Sequence, residues 1–388
     1  MSKIIILGAG MVGRAMAIDL AGKHEVTLTD LNNNRLIRIK EQCATITILP
    51  LDVRDKTSLH SVILDFDLVI CAVPGFLGFE TLKQVIEAGK NVVDISFSPE
   101  NALDLDSLAK AKGVTAVVDC GVAPGMDNIL LGYHNEKLKL TDFECYVGGL
   151  PIIKKWPFCY KAPFSPVDVI EEYTRPARYV ENGKLIVREP LTDCEFLEFD
   201  QVGTLEAFNS DGLRSIIDTM PHIKNMKEKT LRYPGHVEYI SVLKESGFFN
   251  KEKVTVNGLE ISPLDFTSKI LFDEWKLSEN EEEMTFMRVN LKGENKKGEI
   301  EEIVYNLFDK YCRETQTSSM ARTTGYTATA VANMILEGLF TEKGIIPPER
   351  IGKSETCFHY ILNYLKERNI HYQKTHTKFE SLNPAEHS

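Results

Sequence analysis

Hydrophobic positions near the start of the chain come in short blocks. Ile4-Ile5-Ile6-Leu7 is wholly apolar and β-branched up to Gly8-Ala9-Gly10, which predicts a strand buried on both faces. From Met11 to Ala21 the pattern turns helical, rich in Ala, Met, Ile and Leu. Glu25 to Asp30 reads as a second strand, Arg35 to Gln42 as a helix and Ala44 to Leu51 as a third strand. Asp67 to Val73 (strand), Gly78 to Ala88 (helix), Asn91 to Ile95 (strand), Leu103 to Lys112 (helix) and Val114 to Asp119 (strand) continue the alternation. Short helical connections between buried strands imply parallel neighbours and right-handed crossovers, so residues 1 to about 124 are expected to form a doubly wound α/β sheet.

Beyond Pro124-Gly125 the pattern changes. Strands with period-two alternation (Asp142 to Val147, Lys253 to Val256, Met284 to Leu291) are separated by longer irregular stretches, the mark of an α+β domain with a mixed sheet over residues 125–319. Asn182-Gly183 sits between Ala177–Val180 and Leu185–Val187 at the spacing of a tight hairpin, and Val256-Asn257-Gly258-Leu259 offers a second. Thr324 to Gly338 and Phe358 to Arg368 read as helices, and the polar residues from His371 onward are expected to fray.

The 388 residues carry 45 Lys+Arg against 56 Asp+Glu, a net charge of −11, with 43% hydrophobic residues. That is ordinary globular composition with room for two domains. Without a basic block, neither nucleic acid nor an anionic membrane is an expected partner. The opening apolar run is too short for a signal peptide or a membrane span. The eight cysteines are scattered, with no CxxC pair and no histidine cluster, so no metal is expected and a reducing cytoplasm fits.

Gly8-Ala9-Gly10-Met11-Val12-Gly13 is a GxGxxG run placed between a buried strand and a helix, where each glycine has a task. Gly8 permits the turn, Gly10 lets backbone approach a pyrophosphate and Gly13 lets the helix pack on the strand; the helix N-terminus, with Met11 and Val12, offers N–H groups to the phosphates. Asp30, 22 residues after Gly8 at a strand end, is placed to accept hydrogen bonds from adenosine ribose, which favours NAD over NADP; Arg35 and Arg38 nearby soften that preference. Asp52 and Val53 either flank the adenine or lie in a solvated loop. Ligands of such sheets bind at the carboxyl ends of the strands, so Ala72-Val73-Pro74-Gly75, Asp94 to Phe97 and Asp119 to Gly125, with Gly121 and Val122, are expected to converge on the nicotinamide.

Several separated segments resemble the saccharopine dehydrogenase (reductase) and lysine 6-dehydrogenase family. They are the GxGxxG loop, Asp119-Cys120-Gly121-Val122-Ala123-Pro124-Gly125-Met126, Tyr146-Val147-Gly148-Gly149-Leu150-Pro151, Thr230-Leu231-Arg232-Tyr233-Pro234-Gly235-His236 and Ser319-Met320-Ala321-Arg322-Thr323-Thr324-Gly325-Tyr326. The likeness is closer to lysine 6-dehydrogenase: Ala123 stands where saccharopine reductases tend to carry aspartate, and those enzymes usually have no counterpart of His236. The resemblance implies a Rossmann nucleotide domain, a substrate and dimerisation domain in the middle, a homodimer, and C-terminal helices (about 320–388) that return to the nucleotide domain. It also implies transfer of hydride from a C–N bond of an amino acid to a nicotinamide.

That chemistry sets requirements. An ammonium must lose its proton before its carbon can give up hydride, so a base is needed. His236, after the Pro234-Gly235 turn, is the leading candidate, with a structural donor as the plainer reading. Lys161 is a base if desolvated, or else a carboxylate binder. Asp94 and Asp119, at strand ends, would hold an ammonium, activate water, or simply cap turns. Arg232 and Arg322 are candidates for the substrate carboxylate, with an interdomain ion pair as the alternative for each. Phe97 and Tyr160 wall the nicotinamide pocket or belong to the core, and Gly148 and Gly149 lie on the substrate side. The favoured activity is oxidative deamination of the L-lysine ε-amine. The alternatives are a reductase of saccharopine or carboxyspermidine type, which joins an amine to a carbonyl compound, and a nucleotide-binding regulator without turnover.

Overall fold

The computed structural model describes residues 1–278 and 281–379. The N-terminal part contains β1 (Lys3–Leu7), α1 (Met11–Ala21), β2 (Glu25–Asp30), α2 (Asn33–Gln42), β3 (Thr47–Pro50), α3 (Lys56–Ile63), β4 (Leu68–Cys71), α4 (Gly75–Glu87), β5 (Asn91–Asp94), α5 (Asp106–Lys112) and β6 (Thr115–Val117). All these strands run parallel in the order 3-2-1-4-5-6, and Gly344–Ile346 from far downstream adds a seventh beside β6. The apolar blocks of β1 and β4 are fully buried, as runs sandwiched between helices must be. The sequence reading missed α3, a short helix whose start is fixed by Asp55 accepting from the Thr57 and Ser58 N–H groups.

The chain continues through α6 (Met126–Asn135), β7 (Lys139–Pro151), α7 (Pro166–Thr174), β8 (Ala177–Glu181), β9 (Lys184–Arg188), β10 (Glu195–Phe199) and β11 (Gly203–Asn209). Next come α8 (Ile216–Thr219), β12 (Asn225–Arg232), α9 (His236–Glu245), β13 (Val254–Val256), β14 (Leu259–Ile261), α10 (Pro263–Trp275), β15 (Glu283–Glu294) and β16 (Ile300–Lys310). The last elements are α11 (Ser319–Leu336), β17 (Gly344–Ile346), α12 (Pro348–Gly352), α13 (Glu355–Lys366) and β18 (Tyr372–Phe379).

The second sheet is mixed, with the path β10-β11-β12-β7-β15-β16-β18 and the hairpin β8–β9 attached to β12. Its one parallel pairing is β12 with β7. Both Asn-Gly hairpins form in the expected register, Val180 opposite Leu185 and Val256 opposite Leu259. The expected frayed tail is corrected: residues 372–379 pair with β16 along their whole length, and residues 380–388 lie outside the described ones. This edge strand is mostly exposed and lacks a hydrophobic signature, so only its backbone pairing defines it.

One hydrophobic core joins the two sheets. It runs from Ile4 and Ile6 through Met16 on α1 and Ile129 on α6 to Phe143 and Val147 on β7, with α11 buried in its middle. The C-terminal segment is fastened to α1 at Asp19, whose carboxylate accepts from Thr329, Tyr364 and Arg368. Among the described residues, no helix is long and apolar enough to cross a membrane.

Candidate active site

A cavity of about 1120 Å³ opens at the carboxyl ends of the parallel strands and reaches the facing edge of the second sheet. Its nucleotide end is the glycine loop. Gly8 has φ +110°, and a β-carbon there would lie 2.4 Å from the Ala72 carbonyl oxygen. A β-carbon on Gly13 would lie 1.9 Å from the Gly8 oxygen, so helix and loop touch at that point. Gly10 faces open space, and α1 begins there without a side-chain cap, leaving its N-terminal N–H groups for an anion. Asp30 accepts from Ala9 N–H (2.9 Å) and Asn32 N–H (2.8 Å) and pairs with Arg35 (3.2 Å), which ties the acidic strand end to the loop. These features fit a dinucleotide, and Met11, Val12, Val53, Ala72, Val73, Pro74, Gly121 and Val122 line the same cavity. Asp52 also lines it but is clamped by the Arg54 guanidinium at 2.8 to 3.1 Å.

At the other end stand Phe97, Gly148, Gly149 and Arg232. Phe97 is flanked by two guanidinium groups, Arg175 at 4.7 Å and Arg214 at 4.9 Å from its ring centre. Gly148 is required by proximity, since a β-carbon there would come within 2.5 Å of the Leu231 oxygen on β12. Arg232 is nearly fully buried, donates to Glu172 (2.7 Å) and Tyr173 (3.1 Å), and lies over the Tyr160 ring at 4.3 Å. Tyr160 is therefore a core aromatic beneath Arg232 and does not line the cavity.

Several expected roles are corrected. His236 follows the Pro234-Gly235 turn and begins α9, yet it is buried behind Arg232 and does not line the cavity. Its Nδ1–H donates to the Phe158 carbonyl (2.9 Å) and its Nε2 accepts from Tyr173 (2.9 Å). Burial, with the Arg232 charge adding, pushes its pKa down to about 3, so it is a neutral structural imidazole and no base. Lys161 lies away from the cavity, its Nζ donating to the Glu274 carbonyl at 2.5 Å. Asp94 is held by Ser96 through N–H (3.0 Å) and hydroxyl (2.6 Å) and does not line the cavity; burial raises its pKa to about 7. Asp119 does line it, but paired with Arg214 at 3.1 Å. Arg322 forms a buried pair with Asp309 (3.2 Å) and donates to the Arg368 carbonyl (2.8 Å), which joins α11 to β16 and the C-terminal segment and leaves it away from the cavity.

Other cavity residues escaped sequence reasoning. Arg175, just after α7, has an Nη1 with no hydrogen-bond partner. Glu228 on β12 is buried with an unpartnered Oε2. Asp168 accepts from Gly75 N–H (3.3 Å), and burial raises its pKa to about 6. No motif marks these residues; the one available signal was for Glu228, which lies just before Thr230 and Arg232. The eight cysteines are all free.

Residues 4–117 match the saccharopine dehydrogenase NADP binding domain and residues 121–370 the saccharopine dehydrogenase C-terminal domain. The carboxyaminopropylagmatine dehydrogenase of Synechocystis is 22% identical over 90% of this chain and 93% of its own length. The L-glutamate-forming, NADP-dependent saccharopine dehydrogenase of Pyricularia oryzae is 27% identical over 64% of this chain and 58% of its own. The bovine mitochondrial alpha-aminoadipic semialdehyde synthase is 25% identical over 68% of this chain, and the match spans only 30% of that protein. In three dimensions, apo saccharopine dehydrogenase (L-Glu forming) from Saccharomyces cerevisiae superposes with a TM-score of 0.78 over 97% of this chain and all of its own at 20% identity, which shows the shared fold. With both domain matches, the chain belongs to the saccharopine dehydrogenase family of NAD(P)-binding oxidoreductases.

Proposed function

We propose that the protein oxidises the ε-amine carbon of L-lysine with a nicotinamide cofactor, yielding an imine that water hydrolyses with release of ammonia. The observation that carries this reading is the pairing of an under-used guanidinium with an acidic wall. Arg175, with one nitrogen unpartnered and another on Glu171, suits the α-carboxylate, while Asp168 and Glu228 in the same half of the cavity suit a cationic amine. Arg232, already balanced by Glu172, shapes that end of the pocket. Ala123, in the position where saccharopine reductases tend to carry aspartate, agrees with a lysine dehydrogenase. Asp30 supports NAD over NADP, because a carboxylate among ribose hydroxyls repels a 2′-phosphate and the nearby Arg35 is spent on that carboxylate. A cytoplasmic homodimer completes the reading.

A second reading, reduction of the adduct between an amine and a carbonyl compound, is favoured by the near full-length match to the Synechocystis protein. Initial rates of NAD⁺ and NADP⁺ reduction at alkaline pH, with L-lysine and separately with saccharopine, decide between them. Reduction with lysine and release of ammonia supports the first; activity with saccharopine alone moves the enzyme to the second. Silence with both calls for a wider screen of amines and amine–carbonyl adducts, and strengthens the reading of a nucleotide-binding regulator.

A further inference from the structure

With His236 and Lys161 away from the cavity and Asp119 paired to Arg214, none of these three supplies the base that an ammonium substrate requires. Glu228 is a candidate in the right place. The parallel register of β12 and β7 sets Glu228 beside Cys145, and Asp127 in the first turn of α6 points into the same spot. One ligating atom from each of the three lies within 4.8 Å of the others. The Glu228 carboxyl fits against the backbone of Gly212, where a β-carbon would fall 1.8 Å from Oε1. Asp127 accepts from Gly125 N–H (2.9 Å) through Oδ1, while its Oδ2 and the Glu228 Oε2 are buried without a partner. Two carboxyl groups so placed, with no cation between them among the described residues, cannot both be ionised at modest cost.

We propose that Glu228 and Asp127 share a proton and form the proton-accepting group of the cavity, with Glu228, the member that lines it, as the catalytic residue and Asp127 as the positioning residue behind it. Burial raises both acids above the usual carboxylate range, with the Asp127 charge adding at Glu228 and the Glu349 charge adding at Asp127. Glu172 and Asp211 also face Glu228 and act in the same direction, Arg214 opposes them, and the Cys145 thiol, hydrogen-bonded to Asp127, lowers that carboxyl. In its singly protonated state the pair carries one negative charge and has one vacancy. The substrate ammonium gives a proton to the Glu228 oxygen: an N–H bond breaks, its electron pair stays on nitrogen, and an O–H bond forms. The lone pair so freed prepares the adjoining carbon to give up hydride, for which a bound oxidised nicotinamide would supply the acceptor, and the proton on the pair passes to solvent through the cavity. The catalytic part of this inference rests on the amine dehydrogenase reading above; the shared proton does not.

Two measurements on the full chain test it. Difference infrared spectra of the protein without substrate, in H₂O and D₂O near neutral pH, are expected to show the carbonyl band of a protonated carboxyl group, lost in Glu228→Gln and altered in Asp127→Asn. With the amine that the wild type oxidises, Glu228→Gln is expected to lower kcat by about 10²- to 10⁴-fold with little change in KM. In Asp127→Asn, loss of the neighbouring charge is expected to move the basic requirement in the pH profile to lower pH. Thermal melts keep folding separate from catalysis: the carboxamide is nearly isosteric, and where Glu228→Gln does not fold, Asp127→Asn carries the test. Absence of the band overturns the shared proton, as does a stoichiometric divalent cation in the purified wild type that Glu228→Gln loses. A Glu228→Gln variant with unchanged kcat overturns the catalytic role. A wild type that shows the band yet oxidises no amine leaves the pair standing and defeats the proposed function instead.

Discussion

The Tyr173 hydroxyl stands between Arg232 and His236, accepting from the guanidinium Nε at 3.1 Å and donating to the imidazole Nε2 at 2.9 Å. The histidine that the sequence offers as a base is thereby the far anchor of an arginine. Its other nitrogen donates to the Phe158 carbonyl, so both ring positions are committed.

A pH profile of kcat/KM separates those roles. His236 holds its pKa near 3, so it stays neutral across the working range and contributes no limb near the ordinary histidine value. Replacing it with Ala is expected to lower stability by roughly 1–3 kcal/mol through the stranded Tyr173 hydroxyl and Phe158 carbonyl, seen as a fall in Tm, while the remaining activity keeps the wild-type pH profile. A limb that disappears with the histidine restores it as a base.

For the cofactor, Asp30→Ala removes the acceptor that holds Ala9 N–H and that is proposed to meet the ribose. Its KM for NAD is expected to rise about tenfold, roughly 1.4 kcal/mol, with discrimination against NADP relaxed. Unchanged kinetics with both cofactors would remove the aspartate from the binding site.

Arg175 is the residue on which the carboxylate assignment depends. Arg175→Gln is expected to raise the substrate KM by about 10- to 100-fold, in line with roughly 1.5–3 kcal/mol for a hydrogen bond to a charged group, with the cofactor KM unmoved. Equal effects on both constants would point to a collapse around Phe97 instead.

Arg322→Ala gives the opposite pattern. Its pair with Asp309 is buried on both sides, so removing one partner strands a carboxylate at a cost of about 3–5 kcal/mol. The expected result is a lower Tm with an unchanged substrate KM, and Asp309→Asn in the same chain is expected to recover part of the loss.

Asp94 makes stability depend on pH. Burial raises its pKa in the folded chain to about 7, above the unfolded value, so its protonated form is favoured by folding. That stabilisation is whole below about pH 4 and is lost as pH rises through 7, to the extent of about 4 kcal/mol. Asp94→Asn is expected to melt higher than wild type at pH 8, with the gap closing below pH 4, as measured by thermal melts across that range.

The nucleotide half was legible because its signals are local. A fully apolar strand, a glycine loop and an acidic strand end lie within thirty residues, and each has its own steric reason. The Asn-Gly hairpins are local too. By contrast, β18 has no apolar face and left no pattern to read, while α3 left only a short one, the Asp55 cap followed by Leu59, Val62 and Ile63 at helical spacing. The substrate half depends on contacts between distant segments. Arg322 and Arg232 look alike in sequence, and only Asp309 in one case and the cavity wall in the other separate them. Arg175 and Glu228 are ordinary charged residues until α7 and β12 bring them to one wall.

The strand Gly344–Ile346 that closes the first sheet has a consequence for how the chain is made. Its neighbour β6 is complete by residue 117, and the Thr115 hydroxyl finds its acceptor, the Glu342 carbonyl, 227 residues later. During synthesis the outer edge of β6 therefore emerges from the ribosome long before its covering strand, as an open template for unwanted pairing. The half of the molecule that is translated first is among the last to be finished, and its maturation waits on the C-terminal residues that complete it.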